Sequence, residues 1–181
     1  MKRLPPGMML AGFGMSTAVS LLCLFAAGVT GFVPLSAALL FFASLMTWVP
    51  IREEHGMLFA LLEFGLVSGL ALLISRRSPY TYLYIFVFGS YGPLRYRLRR
   101  AMGDRALSVL IRLLIFNFKA ACGVAFMQFV LNYDPHTLIP WAPVWAVIAA
   151  LEGAFAAYIM LYRLFTYIFD SSLRSRLLPR R

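Results

Sequence analysis

The chain has 181 residues, of which 61% are hydrophobic and 13% charged, and its mean hydropathy is +0.79. About a quarter of the residues of a soluble globular domain are charged, so this composition excludes that class. Apolar runs of about 20 residues recur along the chain, and a run of this length crosses a bilayer as a helix. The sequence therefore predicts an all-α polytopic integral membrane protein, a bundle of about six transmembrane helices with short loops.

The net charge of +10 comes from 17 Lys and Arg against 7 Asp and Glu. Most of the basic residues lie between or after the apolar runs, which is typical of cytoplasmic loops that face anionic lipid. We expect no nucleic-acid binding, because the basic stretches have no folded domain to present them. Cys23 and Cys122 both lie inside apolar segments, where cysteine packs as a small hydrophobic residue, so a disulfide framework is not expected.

The first three predicted spans cover residues 8–28, 32–49 and 57–74. A secretory signal peptide is the alternative for the first of them. Its apolar stretch is longer than the usual signal-peptide core, however, and the second span follows almost at once. We therefore interpret the first segment as a membrane span.

The fourth span, residues 79–97, is the least regular. Pro79 and Pro93 enclose 13 residues. That length corresponds to about 20 Å of helix, which is shorter than a hydrocarbon core of about 30 Å. The helix either continues through Pro93 with a kink or forms a partly re-entrant segment, and the sequence favours continuation.

The fifth and sixth spans cover residues 107–131 and 144–169, and a basic tail follows over 170–181. With the N-terminus inside, twelve basic residues fall in cytoplasmic segments and two fall in external links. The positive-inside rule therefore predicts one membrane domain over 1–181 with both termini cytoplasmic.

Charged residues also fall inside the predicted spans, where each needs a partner or a function because its insertion costs about 2.5–3.5 kcal/mol. At about 1.5 Å per residue, Glu63, Arg112 and Arg163 share a layer near the cytoplasmic side. Lys119 and Glu152 lie near the midplane. We expect Lys119 to pair with Glu152, and Glu63 to lie between Arg112 and Arg163. These charges are either packing ion pairs or the lining of a polar solute path.

Small residues recur at helix-contact spacing in the first and sixth spans, where they permit close approach of another helix backbone. Internal packing and a docking face for a second membrane protein both explain them. The residues are Gly12, Ser16 and Ser20, and Ala149, Gly153 and Ala157.

Patterns for catalysis or metal binding are missing from the sequence. Glu53-Glu54 lacks the arginine that an intramembrane protease motif of the form Glu-Glu-x-x-x-Arg requires, since Leu58 stands at that position. The two histidines, His55 and His136, fall on opposite sides of the predicted topology. We therefore expect no catalytic residue, no metal and no cofactor.

Aromatic residues cluster at the external ends of spans four to six. They form either an interfacial belt or a cap over a small-molecule site, in which rings stack on the solute and polar groups orient it. The candidate solute-binding residues are Tyr84, Asn132, Asp134 and Trp145.

The pattern as a whole resembles the substrate-binding S components of energy-coupling-factor vitamin transporters. The resemblance rests on six short helices in 181 residues, cytoplasmic ends and the small-residue seam of the first span. The segment Phe88-Gly89-Ser90-Tyr91-Gly92-Pro93-Leu94, followed by Arg95, also resembles a group of bacterial six-span proteins.

That resemblance implies a small-solute-binding subunit in the bacterial plasma (inner) membrane. Such a subunit works with a membrane coupling subunit and two ATPases, since this chain has no nucleotide-binding motif of its own. The alternative is a membrane scaffold or assembly factor that binds a partner through its helix faces and basic cytoplasmic loops.

Overall fold

The computed structural model describes residues 6–30, 32–51, 56–76, 78–103, 106–131, 144–168 and 171. Among these residues the structure is helical and contains no strand, which confirms the all-α class. A π-helical turn, Tyr84–Phe88, lies between the fifth and sixth α-helices. The α-helices are α1 (Pro6–Val29), α2 (Val33–Met46), α3 (Trp48–Ile51), α4 (Gly56–Ser75), α5 (Pro79–Leu83), α6 (Tyr91–Met102), α7 (Ala106–Leu131) and α8 (Val144–Ile168).

Helices α1, α4 and α7 contain segments long and apolar enough to cross a membrane. The segments are Leu10–Val29, Gly56–Ser75 and Leu107–Phe126. Large apolar side chains on these helices are exposed, including Leu73 (81% exposed) and Phe118 (71%). So much exposed apolar surface requires hydrocarbon or another protein as its neighbour, which is compatible with a membrane protein.

The bounds of α1, α4, α7 and α8 lie within two residues of the segments that the sequence predicts. The second segment differs, because Thr47 separates α2 from the short α3. That six segments cross the membrane, and that both termini are cytoplasmic, stay predictions.

Helix α1 packs against α2 and α4. Small residues make this packing close: three fully buried alanines belong to α1, α2 and α4, namely Ala27, Ala43 and Ala60. The hydroxyl of Ser36 in α2 lies within hydrogen-bond distance of the carbonyl oxygens of Ala27 (2.9 Å) and Thr30 (3.1 Å), which share its one proton. The C-terminal end of α1 is thereby tied to the first turn of α2.

The predicted fourth span is a succession of α5, the π turn and α6. The Gly89 amide donates to the Tyr84 carbonyl five residues back, at 2.7 Å, which is the π pattern. The α-helix resumes at Tyr91, so Pro93 falls in the first turn of α6, where its missing N–H costs no intrahelical hydrogen bond. The interruption therefore precedes Pro93, whereas the sequence predicts a kink at that proline.

Helix α7 packs against the π turn. A Cβ atom built on Gly123 would lie 3.1 Å from the Cβ atom of Phe86, so a glycine allows this close approach. Ring contacts extend it, since the ring centroids of Phe86 and Phe126 are 5.0 Å apart and those of Phe88 and Phe116 are 5.9 Å apart.

The chain divides into two compact units, Met1–Tyr133 and Asp134–Arg181, where the sequence predicts a single domain. The second unit contains α8. Phe155, Tyr158 and Tyr162 share one face of this helix, and the ring centroids of the two tyrosines are 6.0 Å apart.

The contact of the π turn with α4 generates a test of the packing. A Cβ atom at Gly89 would lie 2.8 Å from a ring carbon of Phe64 and 2.8 Å from a ring carbon of Tyr84. We expect Gly89→Ala to lower the free energy of unfolding by about 1–3 kcal/mol, because a filled interior does not admit an added methyl group. Thermal unfolding of the purified protein in detergent measures this loss.

The matched control is Gly69→Ala, because a Cβ atom there would meet no atom within 4 Å. Alanine is favoured over glycine inside a helix by about 1 kcal/mol, so this variant should be as stable as the wild type or more stable. A Gly89→Ala variant that unfolds at the wild-type temperature would contradict the described packing.

Candidate functional site

A buried carboxylate lies among α1, α2 and α4. Glu63 of α4 is 0% exposed, and its carboxylate accepts hydrogen bonds from the hydroxyls of Ser16 (3.0 Å) and Ser20 (3.5 Å). The Ser20 hydroxyl is also 3.0 Å from the Ala43 carbonyl oxygen of α2, so two acceptors compete for its one proton. We call Glu63, Ser16, Ser20 and the Ala43 carbonyl the carboxylate cluster.

Helical periodicity explains why these residues meet. Ser16 and Ser20 are one turn apart on α1, so both face the same neighbours. Glu63 shares the buried face of α4 with Ala60 and Val67. Because serine is small, α1 leaves room for the carboxyl group between the helices.

The small-residue seam of α1 thus serves internal packing at two of its three predicted positions. Ser16 is 1% exposed and Ser20 is 0% exposed. Gly12 is half-buried, and a Cβ atom built there would meet no atom within 4 Å. On α8, Ala149, Gly153 and Ala157 are exposed.

The expected ion pair between Glu63 and Arg112 is corrected by the described part of the chain. There Glu63 receives its hydrogen bonds from the two serines, and the Nε atom of Arg112 donates to the Ser108 carbonyl one turn earlier (3.0 Å). The reason is the packing, because the Glu63 face of α4 lies against α1 whereas α7 lies against the π turn. Arg163 is an exposed residue of α8, and its pairing with Glu63 stays a prediction.

A second polar cluster lies where α7 meets the π turn. The ammonium group of Lys119 donates to the Val87 carbonyl at 3.2 Å and to the Ser90 hydroxyl, and we call these three residues the lysine cluster. At a π turn the backbone hydrogen bonds change from the α-helical spacing to a spacing of five residues, so a carbonyl group can be left without an amide donor. In apolar surroundings a side chain can donate to that carbonyl instead. Glu152 is a half-buried residue of α8, and its pairing with Lys119 stays a prediction.

Tyr84, a candidate solute-binding residue, belongs to the protein core. Its side chain is 0% exposed, and its ring centroid lies 6.0 Å from that of Phe64. The Tyr84 ring therefore does not belong to an exposed interfacial belt, because it lies against Phe64 of α4, and its role in solute binding stays a prediction. Trp145 lies in α8, and Asn132 and Asp134 lie outside the described residues.

One surface was missed by the sequence predictions, the exposed face of α4. The signal for it is Gly65-Leu66-Val67-Ser68-Gly69, a Gly-x-x-x-Gly pattern in an apolar 20-residue helix, which is typical of helix pairing in membranes. Cβ atoms built on either glycine would meet no atom within 4 Å. We call this surface the α4 groove, and it is lined by Leu61, Leu62, Gly65, Leu66, Gly69 and Leu70.

The chemistry available to these clusters is that of oxygen ligands and an ammonium group. Across the described ranges, no three His, Cys, Asp or Glu side chains come together as a metal site would require. The carboxylate cluster offers oxygen atoms alone, and the lysine cluster offers a positive charge.

No protein family model, curated protein or solved structure matches this chain. Over the residues that the structure describes, the class is that of an all-helical protein with three helices long and apolar enough to cross a membrane.

The lysine cluster can be tested through protein stability. Lys119→Met removes the donor of the Val87 carbonyl, and a buried carbonyl without a partner costs about 1–3 kcal/mol. Ser90→Ala removes one acceptor and leaves the carbonyl bonded, so its cost should be smaller. We expect thermal unfolding in detergent to show less than additive losses in the double variant, because the two side chains share a hydrogen bond. Additive losses would mean that they do not interact.

Proposed function

We propose that the protein is a non-catalytic integral membrane subunit that associates with a second membrane protein through the α4 groove. The observation that carries this proposal is the pair of exposed glycines, Gly65 and Gly69, in the middle of a span-length helix. The opposite face of α4, with Glu63 and Val67, is buried within the chain itself.

The glycines favour a protein neighbour over lipid. Glycine destabilises a helix by about 1 kcal/mol relative to alanine, and the described part of the chain places nothing against Gly65 or Gly69. Helices associate in lipid through close van der Waals packing, and glycine allows two backbones to approach closely. A partner helix seated between the flanking leucines would offset the cost of the two glycines.

The proposal includes a six-span topology in the bacterial inner membrane with both termini cytoplasmic. Under this topology the C-terminal end of α6 lies on the cytoplasmic side, where the exposed side chains of Arg97 and Arg100 would meet anionic lipid headgroups or the same partner. The positive-inside distribution of basic residues supports this orientation.

The test fills the α4 groove with a bulky side chain. We expect Gly65→Phe and Gly69→Phe to lose a co-purifying membrane subunit in native mass spectrometry of the gently extracted full chain, because a phenyl ring blocks the approach of the partner backbone. The unfolding temperature of each variant in detergent should stay near that of the wild type, since the groove is open.

The matched control is Gly14→Phe. Gly14 is exposed on the span-length α1, and a Cβ atom built there would also meet no atom within 4 Å. The control should retain the partner. If the groove variants retain it in the wild-type stoichiometry, the α4 groove is not the docking surface.

Lys119 favours a second candidate function, which is the binding of a small anionic solute by an S-component-like transport subunit. Ionisable residues inside membrane helices commonly mark substrate pathways, and π turns recur at functional sites. The ammonium group has three N–H donors, of which Val87 and Ser90 take two.

The solute function predicts a saturable change in tryptophan fluorescence when water-soluble vitamins or precursors that carry a carboxylate are added. Lys119→Met should abolish this change, and Lys119→Arg should weaken it, because arginine keeps the charge but changes its geometry. A wild-type protein that gives no saturable change with any member of the panel would contradict this candidate.

A further inference from the structure

The carboxylate cluster contains a negative group without a positive neighbour among the described residues of its own unit, Met1–Tyr133. Helices α1 and α2 contain no charged residue, and Glu63 is the one charged residue of α4. The other elements packed against α4 are α3, α5, the π turn and α6. Of these, α6 alone carries charges, the arginines 95, 97, 99 and 100. Within the described part of this unit, the partners of Glu63 are the serine hydroxyls.

Hydrogen counting shows a deficit in this cluster. The Ser16 hydroxyl lies 3.0 Å from both the Phe13 carbonyl and the Glu63 carboxylate. The Ser20 hydroxyl lies 3.0 Å from the Ala43 carbonyl and 3.5 Å from the other carboxylate oxygen. Each hydroxyl has one proton, so two protons face four acceptor oxygens.

One added positive charge removes this deficit. If a proton is bound to the carboxyl group, Glu63 donates to the Ser16 hydroxyl, which then donates to the Phe13 carbonyl, while Ser20 donates to the Ala43 carbonyl. If a sodium ion is bound, the carboxylate, hydroxyl and carbonyl oxygens are its ligands. Both cases place one positive charge on oxygen ligands.

The ligands define the class of ion. All are oxygen atoms, which suit hard cations, and a site without nitrogen or sulfur does not favour transition metals. The cluster carries a single negative charge, so a monovalent ion makes it neutral. Neutrality matters here because Glu63 lies seven residues into α4, about 10 Å along an apolar helix.

We propose that Glu63, Ser16, Ser20 and the Ala43 carbonyl form a binding site for one monovalent cation, a proton or a sodium ion. This site is independent of the α4 groove, and failure of the partner proposal would leave it unaffected.

Two measurements on the full chain in detergent distinguish the ions. The first compares the unfolding temperature in NaCl with that in KCl at equal ionic strength and pH. The second is the infrared difference spectrum between the wild type and Glu63→Gln at neutral pH. Glutamine keeps the size of the protonated acid and donates through N–H in place of its O–H, so the variant should fold.

A bound sodium ion predicts a saturable rise of the unfolding temperature with NaCl and not with KCl, which Glu63→Gln abolishes. A bound proton predicts no such rise, and predicts that the carbonyl stretch of a neutral carboxylic acid is lost in Glu63→Gln. Glu152→Gln, which alters the half-buried carboxyl of α8, is the control and should keep the wild-type signal of Glu63 in either case.

Serine variants keep the proposal testable if Glu63→Gln does not fold. Ser20→Ala removes a ligand and should raise the half-saturating NaCl concentration about tenfold or more. Ser16→Ala removes the acceptor of the acid proton and should move its carbonyl stretch to higher frequency. An ionised Glu63 together with no difference between sodium and potassium would overturn the proposal.

Discussion

The structure depends on one constraint, which is that backbone polar groups surrounded by hydrocarbon must find their partners inside the protein. The Ser20 hydroxyl of α1 is a donor for the Ala43 carbonyl of α2. The Ser36 hydroxyl of α2 is a donor for the Ala27 carbonyl near the end of α1. The Tyr82 hydroxyl donates to the Arg76 carbonyl at 2.6 Å, just after the last turn of α4. A buried polar group without a partner costs about 1–3 kcal/mol, so these contacts select among helix arrangements that would bury similar apolar area.

Helix α4 shows how the constraint separates the roles of two helix faces. The buried face holds Ala60, Glu63 and Val67 against neighbouring helices, and its one charged group lies among hydroxyls. The exposed face carries Gly65 and Gly69, and the residues that line the α4 groove are leucines and glycines without polar side chains. The face with the polar group is therefore used for the fold, and the apolar face is open to a partner, as proposed above.

Much of the helix pattern follows from the sequence, because long apolar runs end at proline, glycine or charged residues. The interruption of the fourth segment does not follow from the sequence, since it depends on a π turn. Lys119 donates to the Val87 carbonyl of this turn, and Gly89 and Gly123 allow close packing around it. Depth along a helix indicated that Glu63 and Arg112 lie in one layer. Depth did not identify which helix lies next to Glu63. A search for oppositely charged partners also overlooks serine hydroxyls, which can donate hydrogen bonds to the carboxylate. Tyr84 illustrates a further limit, because an aromatic residue near the end of an apolar run has the same pattern in an interfacial belt and in a core.

Both polar clusters hold a buried charged group, but Lys119 is a hydrogen-bond donor whereas Glu63 is a hydrogen-bond acceptor. An ammonium group brings three donors and needs acceptors, and helix backbones supply carbonyl oxygens, so Lys119 is accommodated by Val87 and Ser90 of its own chain. A carboxylate brings acceptors and needs donors, but the amides within a helix are already bonded to its own carbonyls. Serine hydroxyls are the remaining donors near Glu63, and each also has a backbone carbonyl to serve. Helix carbonyl groups can therefore accept from a buried ammonium group, whereas a buried carboxylate finds few donors in helix backbones, and this asymmetry is why we place the proposed cation at Glu63.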